Sequence, residues 1–215
     1  MTHIPHDDTL ARYAAGTLEP GLSLVVETQI ELAPAVRARL AVFQAAAGTL
    51  LAALPPADMA DDALARALAR LDTPPPPAPA APPPRQAAAL PDGVRLPRAL
   101  ARCTTGRWIW IGPGVHFSPV GIPGARRASV GLIKAAPGRH LPDHGHHGSE
   151  LTLVLDGSFS DAGGRYGPGD VCETDESVEH APVADPREGC VCLIAMDAPL
   201  RLKGLLGLLL RPFTG

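Results

Sequence analysis

The sequence predicts a mixed fold in two domains, a small all-α N-terminal domain followed by a C-terminal all-β barrel. Three observations carry this prediction. Apolar residues recur at helical spacing up to about residue 73, the run PPPPAPAAPPP occupies 74–84, and short β-rich runs broken by glycine begin near Arg98. The expected organisation is a helical domain over 1–73, a Pro/Ala-rich linker over 74–97 and the barrel over 98–215.

The helices can be taken in order. Asp7 or Asp8 is suited to cap a first helix through LARYAA, which Gly16 ends at its C′ position. Pro20 fits the first position of a second helix, with Leu22, Val25, Val26, Gln29 and Ile30 at helical spacing. Pro34 opens a third, stopped by Pro55-Pro56. Asp58 is suited to cap a fourth, in which Leu64, Leu68 and Leu71 form one stripe. On a short helix so clean a stripe ordinarily means core packing. The alternative is a stripe left open to a partner, and the thin core of four short, Ala-rich helices favours it.

The proline run can be neither helix interior nor sheet ladder, because proline lacks the N–H and fixes φ. It reads as an extended spacer of roughly 3 Å per residue. Beyond it, RWIWI, ASVGLIKA, ELTLVL and CVCLIAM alternate with turn sequences such as PGR, DGS and ADPREG, the texture of a sandwich or barrel. In ELTLVL, Glu150, Thr152 and Val154 fall on one face, and Leu151, Leu153 and Leu155 on the other. The segment 200–210 reads as a short apolar helix or strand covering a barrel edge.

Composition narrows the function. A net charge of −3 argues against a large nucleic-acid-binding surface. The N-terminus has no basic region followed by an apolar run, so it is not a signal peptide. No run approaches the ~18–20 consecutive apolar residues of a membrane span, the run at 205–210 being far shorter. Four cysteines, Cys103, Cys172, Cys190 and Cys192, read as reduced thiols. The expected location is the cytoplasm.

The strongest chemical signal is PDHGHHGSELTLVLDG. His144 and His146, two apart, project from one face of an extended segment. Glu150 follows after Gly148, which permits a turn, and His180 comes from another strand. Three imidazoles and a carboxylate suit one divalent ion, zinc first, with Fe, Mn, Ni or Cu as alternatives. Histidines in a glycine-rich loop can also be solvated turn residues. Here, however, 138–157 follows the first cupin motif at every spacing: Gly138, His144, His146, Glu150 and Gly157. GPGD at 167–170 resembles the second motif, with its histidine delayed to His180 and Ala184 where an asparagine is usual. His140 and His147 fall outside the ligand set, and His116 is unassigned. Cys190 and Cys192 share a strand face, as packed thiols or as an oxidant-sensing pair near the metal. Cys172 poses the same choice.

LARYAAGTL with LSLVVETQ, PDHGHHGSELTLVLDGSF, and VEHAPV with CVCLIAMDAPLRL together resemble the ChrR-type zinc anti-sigma factors over nearly the whole chain. The resemblance implies a helical domain that holds an extracytoplasmic-function (ECF) sigma factor inactive until a stress signal arrives. It also implies a cupin (double-stranded β-helix) barrel ligating metal through His144, His146, Glu150 and His180. No direct nucleic-acid or membrane contact is expected. The family's N-terminal zinc site is largely missing: His6 matches the first ligand, but the other three positions are Gln29, Ala33 and Val36. The competing reading is a metal-dependent cupin enzyme, dioxygenase-like, with a degenerate helical domain. No catalytic residue is assigned.

Overall fold

The computed structural model describes residues 3–72, 96–141, 144–178, 181–198 and 200–202. The proline run and most of the expected linker lie outside them. Four helices come first: α1 (Asp7–Ala14), α2 (Pro20–Leu32), α3 (Pro34–Ala52) and α4 (Ala63–Leu71). A short α5 (Arg98–Ala101) then precedes the strands β1 (Thr104–Thr105), β2 (Ile109–Gly112), β3 (Val115–Gly121), β4 (Ser129–Ala135), β5 (His144–His146) and β6 (Glu150–Gly157). The remaining strands are β7 (Phe159–Asp161), β8 (Gly164–Tyr166), β9 (Val171–Thr174), β10 (Val183–Ala184), β11 (Cys190–Met196) and β12 (Leu200–Leu202).

Proline supplies the helix starts as expected, standing at the first positions of α2 and α3, where its missing N–H costs nothing. Gly16 ends α1 with φ at +69°. The caps differ from expectation. Neither Asp7 nor Asp8 caps α1; His6 is the cap residue and its side chain makes no capping bond. Glu173, from β9, takes the role instead, accepting from the His6 N–H at 2.6 Å and the Thr9 hydroxyl at 2.7 Å. Asp58 does not cap α4 either, whose N-cap is Asp62.

The main sheet has seven strands in the order β1-β3-β4-β11-β6-β9, with β2 also paired to β3. The sheet β10-β7-β8 closes its inner side, and β12-β5 forms a separate pair. The alternation read in β6 holds. Val154 joins an inner layer with Ile133, Phe159, Tyr166 and Cys192. Leu151 and Leu153 face outward, yet they too are buried, because the helices cover that side. Leu22, Leu24, Val25 and Val26 of α2 form one core with Leu132, Leu151, Leu153 and Leu193 of the sheet. Burying each such side chain contributes about 1.5–3 kcal/mol. A Cβ on Gly21 would stand 2.8 Å from Val130 Cγ2, so the start of α2 lies almost on the sheet.

Helix α5 extends this joint. The Glu31 carboxylate of α2 accepts from the Arg98 and Ala99 N–H groups, both at 2.8 Å, and Glu27 pairs with Arg102. The helical segment and the barrel thus share one core. The outer part of the helical segment does not join it. Beyond Leu40, α3 buries no residue. Helix α4 buries none at all: Leu64, Leu68 and Leu71 are 71%, 54% and 80% exposed. Core packing of that stripe is therefore overturned, and it stands open. By length and composition, α3, 19 residues at mean hydropathy 1.2, also reaches the size of a membrane span. Arg37 and Arg39 interrupt its apolar residues, so it contains no long uninterrupted apolar run.

Candidate metal centre

The glycines of the cupin motif occupy conformations that require them. Gly138 and Gly157 both have φ at +67°, and a Cβ on Gly157 would stand 2.2 Å from the Gly189 carbonyl oxygen. These turns set the ends of β6 and the approach to β5. Glu150 is the first residue of β6, on the inner parity, and is 2% exposed. Its Oε1 accepts from the Thr152 hydroxyl at 2.9 Å. A carboxylate this deeply buried is stable only when matched by donors or a cation, and an oxygen donor of this kind suits a divalent metal. In this respect Glu150 fits the proposed ligand set.

His144 and His146 begin and end β5, which pairs antiparallel with β12: His144 faces Leu202 in register and His146 faces Leu200. Of the segment at 200–210, expected to be a short helix or strand, residues 200–202 form a strand, β12, that pairs with β5 rather than with the main sheet. His180 lies outside the described residues. His140 and His147 are exposed. His116 is half-buried on β3, its Nδ1 buried without a hydrogen-bond partner among the described residues.

Register extends the layer around Glu150 in both directions. Thr174 of β9 faces Glu150 on one side and Met196 of β11 faces it on the other. One row further, Cys172 and Ile194 flank Thr152. Sequence reading missed β9, and Thr174 with it. The only signal available was the alternation in VCET, too short to establish parity alone.

Three cysteines line this interior. Burial pushes the Cys172 thiol up to about 12, against a weaker opposing hydrogen bond from Tyr166. Cys190 and Cys192 hydrogen-bond one another. That bond lowers Cys190 below the ordinary thiol range and raises Cys192, which full burial raises further. Cys172 and Cys192 are therefore packed thiols rather than reactive ones, while Cys190 is the acidic member of its pair. Cys103 is half-buried beside α5, its Sγ 3.8 Å from the Ala99 carbonyl oxygen.

The positions matching the family's N-terminal zinc site have a different use here. Gln29, Ala33 and Val36 are all buried, whereas His6 is exposed. Gln29 Nε2 donates to the carbonyls of His3, at 2.8 Å, and Gly169, at 2.9 Å. The His3 carbonyl also accepts from the Val171 N–H at 3.0 Å, and the His3 N–H donates to Asp170 Oδ1 at 2.8 Å. One amide thus ties the N-terminal segment and α2 to the turn before β9. His6, Asp8 and Glu173 bring possible ligand atoms within 4.8 Å of one another. They sit at the surface, where both Glu173 oxygens already accept hydrogen bonds.

Comparisons with known proteins agree with this architecture. Residues 97–198 match the ChrR cupin-like domain. Over 218 residues, 99% of this chain and 98% of the relative, the sequence is 40% identical to the anti-sigma-E factor ChrR of Cereibacter sphaeroides. The crystal structure of Rhodobacter sphaeroides SigE in complex with the anti-sigma ChrR matches at a TM-score of 0.71 and 36% identity, covering 91% of this chain and 98% of that one. Joined to a cupin barrel that shares its core with N-terminal helices, these matches place the chain in the ChrR family of cupin-containing anti-sigma factors.

Proposed function

We propose that this protein is a cytoplasmic anti-sigma factor that binds and inhibits an ECF sigma factor, and that its cupin half senses a stress signal or ligand through a bound metal. The observation that carries the reading is the open apolar arm. Leu50, Leu51, Leu54 and Met59 are exposed together with the α4 stripe of Leu64, Leu68 and Leu71. In a chain related over its full length to an anti-sigma factor, such a concentration of exposed apolar residues suits a partner surface. Helix α4 has the spacing that lays an apolar face into a groove.

The metal is one divalent ion, zinc first, held by His144, His146, Glu150 and His180. When bound it would brace the barrel end and offer a position to an incoming ligand. Elemental analysis of the purified chain is expected to find one equivalent, reduced in Glu150→Gln.

Co-expression with an ECF sigma factor, followed by affinity capture and a transcription assay, tests the main reading. The wild-type chain is expected to co-purify with the factor and suppress its transcription. Replacing Leu64, Leu68 and Leu71 by serine should abolish both while leaving the fold intact. Retention of full inhibition by that triple variant would sink the proposal.

A further inference from the structure

We propose that Thr174 belongs to the cupin site, where its hydroxyl hydrogen-bonds a small carboxylate anion bound at the metal. The inference rests on the reading of Glu150 as a metal ligand. Thr174 is 5% exposed, and its Oγ1 is buried with no hydrogen-bond partner among the described residues. A hydroxyl left so is costly, and native interiors seldom tolerate one without a role. Its neighbour shows the contrast: the Thr152 hydroxyl, two residues along β6 from Glu150, is satisfied by the Glu150 carboxylate.

Position says what the missing partner is. Thr174 stands opposite Glu150 in the β6–β9 ladder. Directly opposed side chains have Cβ atoms roughly 5 Å apart. An oxygen donor on a metal held by Glu150 would therefore come within reach of this hydroxyl. Charge selects an anion. A divalent ion with one carboxylate and neutral imidazoles leaves a net positive centre in a buried layer, which a monoanion neutralises. The walls select a small apolar tail, because Met196 lies across from Glu150 and buried Ile194 lies one row away. A short-chain carboxylate meets all three conditions.

The test uses the full chain loaded with Co²⁺ and titrated with acetate, following the visible absorption of the metal. The wild-type spectrum is expected to change saturably. Thr174→Val should hold the same equivalent of cobalt yet bind acetate about tenfold more weakly, the loss of one hydrogen bond, and Thr174→Ser should restore the affinity. Equal acetate affinity in wild type and Thr174→Val overturns the proposal, as does a wild-type spectrum that ignores acetate. Failure of the wild-type chain to bind cobalt overturns the ligand reading itself, and the proposal with it. Metal-free stability is an independent measure. Thr174→Val should melt at or above wild type, since it removes an unpartnered hydroxyl, and a lower melting temperature would show that the hydroxyl already has a partner.

Discussion

Helices α2 and α4 are both short and apolar, and the structure treats them in opposite ways. Helix α2 is buried along its length, with Leu22, Leu24, Val25 and Val26 packed on the outer face of the barrel sheet. Helix α4 has a sharper apolar stripe and buries none of it. The helical segment is thus divided between a part built into the cupin and an arm left open. Strand alternation gives this division a functional sense. Glu150 and Thr152 line the interior, while Leu151 and Leu153, between and beside them, touch the helical core. A change at the inner layer is one peptide unit away from the surface on which α2 rests.

The comparison breaks most severely if the shared core is charged. Val25→Asp is expected to cost at least about 4 kcal/mol, because an unpaired carboxylate has no partner there. Urea unfolding should show helical circular dichroism and the fluorescence of Trp108 and Trp110 lost in one transition. Loss of the helical signal alone would show that the barrel does not depend on α2. Next comes the polar clamp. Gln29→Leu removes two hydrogen bonds and leaves the Gly169 carbonyl without that donor, at a cost of about 1–3 kcal/mol by the same measurement.

The barrel interior should also respond to alkali. The Cys172 thiol, raised in the folded state to about 12 by burial, contributes stability that is complete below the ordinary thiol value near 9. That contribution is lost as pH climbs through the folded value. Stability is therefore expected to decline over that interval, and Cys172→Ala should flatten part of the decline in melting curves recorded against pH. The smallest effect on stability belongs to the arm. Leu68→Asp should change the unfolding free energy by no more than about 0.5 kcal/mol while weakening capture of the sigma factor. A large loss of stability would mean that the stripe is packed after all.

Where local chemistry is decisive, the sequence was informative. Pro20 and Pro34 announce helix starts, Gly138 and Gly157 announce turns that require positive φ, and the period of two in β6 separates its faces. Where a partner comes from far along the chain, it was silent. Strand β3 contains Pro119, which disguised it, although its carbonyl still accepts from the Gly106 N–H at 2.8 Å. Helix α5 is a single turn stabilised by Glu31, 67 residues earlier. The carboxylate that holds the start of α1 is that of Glu173, and no local pattern could have named it.

The candidate ligands His144, His146 and Glu150 were named from a motif with several set spacings within 20 residues of chain, and His180 from a second motif in which the histidine is delayed. Thr174 was not, since only the register of β9 against β6 brings it beside Glu150. The α4 stripe states the general point. Periodicity determined that Leu64, Leu68 and Leu71 share a face, for that follows from the helical repeat. Whether anything covers the face depends on where α2 and the sheet spend their own apolar surface. They spend it on each other, and only the tertiary structure could decide that.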